Sequence, residues 1–298
     1  KKAISRDNYK PKINVFVGED FISVEDNGQG MDEFIIENYF GKLASSFYQQ
    51  ELAQSDFQAI GQFGIGVFSY FLISEYIDVE TKRAEKSGLK FRTDRDPNVY
   101  FHFFDNFKKE KEGTKITLQL KSKYHSKFNL NSLSKFIKST FPFIDVPISV
   151  ADEKENIVLE SDTMTISFQK DVLPHFYYNQ QEKAEKFEII SYYEKNDDLE
   201  GVVALLIPKD FSKTLPDLHL IIDSSSFESG GRFINDYSKI SFSQKGVFIN
   251  FYESKLDYTF GKIDIIQKLK VNLSRTDFVD EDAVQKSMAV FEVNLVRM

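Results

Sequence analysis

The chain has 298 residues, is 41% hydrophobic and 28% charged, and carries a formal net charge of −8. This length accommodates two domains of ordinary size, and the acidic balance argues against a broad electrostatic surface for nucleic acid. With no cysteine, disulfides, zinc–thiolate sites and thiol catalysis are excluded within the chain, and no apolar run approaches the roughly 18 residues of a membrane-spanning helix.

The chain opens without an initiator methionine, and Pro11 closes what reads as the tail of a helix. Residues 13–17 and 21–25 are β-rich runs separated by Gly18-Glu19-Asp20, a hairpin signal. The second run delivers Asp26 at its end. Residues 31–40, apolar at 34, 35, 36, 39 and 40, suit a helix capped by Asp32. Residues 41–60 are polar and rich in small side chains, which reads as a mobile segment with short helices. A buried helix is expected to begin across 65–71, and 77–81 alternates as a strand. Phe91 and 100–104 suggest further strands around a polar loop at 93–98. Residues 113–120 alternate cleanly as a strand, 130–141 read as a helix stopped before Pro142, and 147–150 form one more strand. Antiparallel strands mixed with helices make the first half an α+β sandwich.

Composition places a boundary at 151–163, giving domains at 1–152 and 163–298. Strands are expected in the second half at 187–192, 201–207, 218–222 and 245–250. The spacing of Val284, Met288, Phe291 and Leu295 reads as a helix running to the end, so the sequence is expected to be a fragment. Thirty Phe and fourteen Tyr with no Trp point to a core packed by large rings. The histidines, His102, His125, His175 and His219, lack metal-ligand spacing and read as structural or surface residues. The lysines of 108–112, and Lys121, Lys123 and Lys127, read as solvated.

Two glycine motifs carry the chemistry. The first is Asp26-Asn27-Gly28-Gln29-Gly30-Met31. A carboxylate at a strand end accepts a hydrogen bond from an exocyclic amine such as that of adenine, and Gly28 and Gly30 let the backbone approach a ring. The alternative is a plain Asp-Asn-Gly turn. The second motif is Gly61-Gln62-Phe63-Gly64-Ile65-Gly66-Val67-Phe68-Ser69. Its glycines open a helix whose N–H groups would receive anionic oxygens. No Gly-Lys-Ser/Thr follows, so it is not a Walker A loop, and its G-x-x-G-x-G spacing is not the dinucleotide fingerprint. The alternative is a helix start packed tightly on its neighbour.

These two motifs, followed by Gly113-Thr114, resemble the ATP-binding motifs of the GHKL superfamily, and the second loop is most similar to that of the heat-shock protein 90 family. The resemblance implies a Bergerat-type α/β sandwich followed by a second α/β middle domain. It implies ATP and Mg2+ as cofactors. Asp26 would bind the adenine amine with Thr114 beside it through water, and Gly28, Gly30 and Met31 would line the base. Gly61, Gln62, Phe63, Gly64, Ile65 and Gly66 would hold phosphates, and 41–60 would form a lid. Leu269-Lys270-Val271-Asn272-Leu273-Ser274-Arg275 resembles the middle-domain loop that brings an arginine to the γ-phosphate, so Arg275 is the expected catalytic residue. From pattern alone Arg275 also suits a surface role near Asp277 and Asp280.

Departures from the family matter. Its first motif is a helix bearing a catalytic Glu and a magnesium-binding Asn, and residues 1–12 contain no Glu. In the lid, Ala44 is followed by Ser45-Ser46 rather than by Lys, with Lys42 a candidate substitute. The resemblance implies a cytoplasmic, stress-response chaperone and ATPase that binds ATP and ADP, acts on a client protein the sequence does not identify, and forms a homodimer through a domain beyond Met298. A MutL- or MORC-like clamp on DNA and a non-catalytic nucleotide switch are the alternative readings.

Overall fold

The computed structural model describes residues 9–40, 69–94, 101–173, 185–209, 238–256, 258–267, 269–272 and 276–298. They fall into two compact units. The first runs to Thr140 and includes Asp145–Ser161; the second comprises Phe141–Ile144 and the chain from Asp162. Both combine β-sheet with helix, in agreement with the α+β expectation.

The first unit is built on eight strands: β1 (Ile13–Val17), β2 (Phe21–Asp26), β3 (Ser74–Lys82), β4 (Leu89–Asp94), β5 (His102–Phe103), β6 (Gly113–Leu120), β7 (Ile148–Ala151) and β8 (Asn156–Leu159). Their order across the sheet is β5-β4-β3-β6-β2-β1-β7-β8, with β1 and β7 parallel and the remaining pairs antiparallel. Strand β8 lies inside 151–163, so that composition boundary contains an edge of the first sheet rather than a plain linker.

Period-two alternation decides the two faces. Val15, Val17, Ile22, Ile77, Val79, Phe91, Leu118, Ile148 and Val150 point inward and are buried. Ile36 and Phe71, from the helical segments, join Ile77, Val79, Phe91 and Leu118 in one cluster, with Met31 and Phe40 against it. The rings stack edge to face, Phe91 against Phe40 and Phe101 with centroids 5.5 and 5.1 Å apart. Part of the phenylalanine excess is therefore core, as its composition suggested. On the outer face the alternate positions carry ion pairs, Arg92 with Asp78 (2.6 Å) and Lys90 with Glu80 (2.9 Å).

The segment expected to be a helix over 31–40 begins later and is less regular. Asp32 stays extended (φ −103°, ψ 176°) because it is the cap, accepting from the Ile35 N–H. Helix α1 covers Glu33–Ile35 and widens into a π turn over Ile36–Phe40. Lys121 caps the helical end at 69–72, donating from Nζ to the carbonyls of Phe71 (2.6 Å) and Leu72 (3.2 Å). Its charge serves the fold instead of facing solvent. Helix α2 (Leu130–Thr140) stops two residues before Pro142, one residue short of the expected bound, and packs on β7 and β8.

The second unit has five described strands: β9 (Phe187–Lys195), β10 (Leu199–Pro208), β11 (Ser238–Gln244), β12 (Val247–Tyr252) and β13 (Thr259–Ile265), in the order β12-β11-β13-β10-β9. Strands β11 and β13 run parallel. Helix α3 (Glu281–Arg297), capped by Asp280, buries Val284, Met288, Phe291 and Leu295, the four positions whose spacing pointed to it. It lies on β9 and β10, where Gly201 leaves room for the Phe291 ring. The expected strand at 218–222 lies outside the described residues.

Candidate functional site

The first motif sits where β2 leaves the sheet. Pairing of β1 with β2 ends at Ile13 opposite Asp26. The Gly28 N–H then donates to Asp26 Oδ1 at 2.7 Å. This is an Asx turn, so the plain-turn alternative is realised in the same residues. The turn leaves the carboxylate with acceptor capacity, since two oxygens offer about four lone-pair directions. Burial pushes the Asp26 carboxyl above the ordinary carboxylate range; the N–H donors of Gly28 and Thr114 and the charge of Lys109 act against that.

Two threonines complete the row. Thr114 is next along β6 after Lys115, which pairs with Glu25, and Thr81 is directly opposite Thr114 on β3. Asp26, Thr114 and Thr81 therefore form one rung across three strands, facing the side of the sheet on which the helical segments pack. Thr81 is fully buried and Thr114 is 9% exposed. Their hydroxyl oxygens are 3.0 Å apart, and Thr81 Oγ1 accepts from the Met31 N–H at 2.7 Å. Either hydroxyl can donate in this pair; one arrangement has Thr81, whose oxygen already accepts from Met31, donating to Thr114. It leaves the Thr114 hydrogen for a further acceptor. An acceptor carboxylate beside a hydroxyl donor matches the amine and ring nitrogen along one edge of adenine.

The glycines set the backbone approach. Gly30 has φ +65°, and a Cβ there would lie 1.9 Å from the Lys82 carbonyl oxygen. Gly113 has φ +119°, and its Cβ would lie 2.1 Å from the Asp26 carbonyl oxygen. Only glycine fits at these two crossings of the loop with β3 and of β6 with β2. Asp32 ties the far end of the loop to Arg83 Nη1 at 3.0 Å.

The structure thus brings together Asp26, Gly28, Gly30, Met31 and Thr114. Residues 61–66, the expected lid at 41–60 and Arg275 lie outside the described residues. Asp277 accepts from the Tyr252 hydroxyl and the Phe278 N–H, and Asp280 caps α3. The Thr276 N–H donates to Asn272 Oδ1 at 2.8 Å.

Sequence reading missed three residues. Thr81 was legible in principle, as a polar side chain at an inward position of Ile77-Val79-Thr81. Lys109 is not simply solvated: its Nζ is 3.3 Å from Glu25 Oε1. Asn27 spends its side-chain amide on the backbone of residues 10 and 12. A shallow cavity of about 700 Å³ lies on the other face of the sheet, lined among others by Asn14, Phe16, Phe21, Lys115 and Asp152. It contains none of the expected site residues. Among the described residues no cluster of His, Asp and Glu has metal-site geometry, and no helix is long and apolar enough to cross a membrane.

Known proteins resemble the part of the chain that contains these residues. The family described as "Histidine kinase-, DNA gyrase B-, and HSP90-like ATPase" matches residues 9–114, from the strand entry to Thr114. Chaperone protein HtpG of Campylobacter jejuni subsp. jejuni (strain 81-176) is 33% identical over 165 residues, covering 51% of this chain and 26% of that protein. HtpG of Borreliella burgdorferi is 31% identical over 147 residues, covering 47% and 24%. HtpG of Campylobacter jejuni subsp. doylei is 36% identical over 132 residues, covering 40% and 21%. The match spans about a quarter of the length of these curated relatives. Residues 9–114 are therefore a GHKL-type ATPase domain, of the histidine kinase-, DNA gyrase B- and HSP90-like family, in a chain homologous to HtpG chaperones over about half its length.

Proposed function

We propose that the chain binds ATP in its first unit and belongs to an ATP-hydrolysing, chaperone-like protein of the heat-shock protein 90 type. The observation that carries this reading is the rung of Asp26, Thr114 and Thr81, with the Gly28–Met31 backbone folded against it. Asp26 accepts from the adenine amine, and Thr114 donates beside it. Gly28, Gly30 and Met31 flank the base, while Gly61 to Gly66 carry the phosphates. The segment 41–60 closes over the nucleotide. Arg275 comes from the second unit, taken as a middle domain over 163–298, and neutralises charge on the departing phosphate. Closure and the arginine contact would couple hydrolysis to domain movement. A cytoplasmic homodimer acting on a client protein completes the proposal.

The test of the base assignment compares ATP with a purine nucleoside triphosphate that lacks the 6-amine. A charge-assisted hydrogen bond contributes about 1.5–3 kcal/mol, so calorimetry should show the analogue bound about 10- to 150-fold more weakly. Equal affinities would remove the amine from recognition. Hydrolysis is tested separately. Arg275→Ala in the full-length protein should slow turnover by roughly 10²–10³-fold, the scale of losing one preorganised transition-state contact, with little change in ATP affinity. Unchanged turnover takes Arg275 out of the mechanism.

A further inference from the structure

Asn27 follows the base-reading carboxylate, yet its side chain serves a different partner. The carboxamide Nδ2 donates to the Lys10 carbonyl at 2.8 Å, and Oδ1 accepts from the Lys12 N–H at 2.8 Å. These two backbone groups flank Pro11, which has no N–H to offer. The side-chain amide thus plays the part of a peptide unit in a neighbouring strand, and it extends the sheet past the last β1–β2 pair, Ile13 with Asp26. Tyr9 closes the arrangement from the other side. Its hydroxyl donates to the Asn27 carbonyl at 3.0 Å and lies 3.3 Å from Asn27 Oδ1. Burial, and then the charge of Asp26, pushes the Tyr9 phenol upward, so the two side chains share an electrostatic environment.

We propose that Tyr9 and Asn27 form a positioning clasp that couples the chain entering β1 to the base-reading carboxylate, so that adenine-nucleotide binding at Asp26 tightens the 9–12 segment. The physical basis is adjacency. Asp26 and Asn27 are consecutive at one strand end, where the backbone is turning through the Gly28 contact. A base that fixes the Asp26 carboxylate fixes the Asn27 backbone, and with it the groups that hold Tyr9, Lys10 and Lys12. Linkage makes the effect reciprocal: a loosened clasp lowers affinity by the factor with which nucleotide tightens it. Tyr9 and Asn27 touch no part of the base and act only through Asp26. The inference rests on the adenine assignment proposed above.

The test uses the full chain, ATP as ligand, and the variants Tyr9→Phe, Asn27→Ala and Asp26→Asn. Each hydrogen bond contributes about 0.5–1.5 kcal/mol, so calorimetry should show ATP affinity reduced about fivefold in Tyr9→Phe and about tenfold in Asn27→Ala. Saturating ATP should slow hydrogen exchange at the Lys12 amide of the unsubstituted chain, and Asn27→Ala should lose that protection. Affinities unchanged in both clasp variants, with binding abolished in Asp26→Asn, would overturn the clasp and leave the base assignment standing. ATP binding retained in Asp26→Asn would overturn both. A lowered melting temperature with affinity and ATP-dependent protection intact would show a purely structural clasp and also overturn the proposal. If Asn27→Ala fails to fold, Tyr9→Phe, which deletes one oxygen from a half-buried ring, decides alone.

Discussion

Asp26→Asn is expected to abolish micromolar ATP binding while leaving the first unit at least as stable as before. The two effects have one cause. Burial pushes the Asp26 carboxyl above its ordinary range, so the ionised form is held in the folded state against a desolvation cost. The sign follows from linkage. A carboxyl raised on folding binds its proton more tightly in the native state than in the unfolded one, so its contribution falls as pH rises from the unfolded to the folded pKa. At neutral pH the charge is a net liability, and a neutral carboxamide removes it. Asn retains one oxygen to accept the Gly28 N–H, so the Asx turn survives. What Asn lacks is the charged acceptor for the amine, worth about 1.5–3 kcal/mol for the charge-assisted bond. Further loss follows where the amide NH2 faces the amine, donor against donor. The same logic gives a pH dependence for the unsubstituted chain. ATP affinity should be level above the raised Asp26 pKa and should decline as pH falls through it, because the protonated carboxyl loses its charged acceptor. Calorimetry across pH, with thermal melts of both chains, measures all of this. Retained micromolar binding by Asp26→Asn would refute the adenine assignment, and a destabilised variant would refute the desolvation argument.

Gly30→Ala should be the most damaging single methyl in the site. Its Cβ would sit 1.9 Å from the Lys82 carbonyl oxygen, and the obstacle is backbone at the end of β3 rather than a side chain that moves aside. The conformation at φ +65° adds about 1 kcal/mol for a non-glycine residue. Relief requires the loop to lift off β3. That breaks the Met31 N–H bond to Thr81 and exposes a buried hydroxyl pair to an unmet partner, about 1–3 kcal/mol. The total, about 2–4 kcal/mol, falls on the first unit. Denaturant unfolding followed by probes in each unit should show its transition shifted while that of the second unit stays. ATP affinity should fall as well, since the lifted backbone no longer flanks the base. Wild-type stability in Gly30→Ala would mean that the loop does not lie against β3 as described.

Much of the first unit was legible because its signals are local. The alternation in 13–17, 21–25, 77–81 and 113–120 has the period of a pleated strand, and each became one. Asp26 was placed at a strand end by the glycines that follow it, and Asp32 as a cap by its position before an apolar run. In the second unit, the run 245–250 overlaps β12 but begins in the Lys245-Gly246 turn that precedes it, while 187–192 and 201–207 were equally plain. Strands β11 and β13 were not. β11 buries Ser238, Ser243 and Gln244, and Gln244 spends its amide on the carbonyls of Gln267 and Leu269. A segment with polar buried positions does not read as a core strand until those partners are known. β13 is interrupted by Gly261 and Lys262, a small residue forced by Val203 and Ile240 and a lysine paired with Asp171.

By itself the sequence determined where β1, β2, β3 and β6 lie, which faces they bury, and that a carboxylate ends β2 among glycines. Tertiary structure alone decided which residues share that carboxylate's row. Thr81 stands 50 residues from Met31 and 33 from Thr114, and Asn27 stands 17 from Lys10. Strand register made these residues neighbours. Alternation gives the face of each residue in its own strand, while a shift of two residues between two strands preserves both patterns and changes every partner. Register is fixed by the whole sheet, by the crossings that only Gly30 and Gly113 permit, and by hydrogen bonds between residues that no local pattern relates.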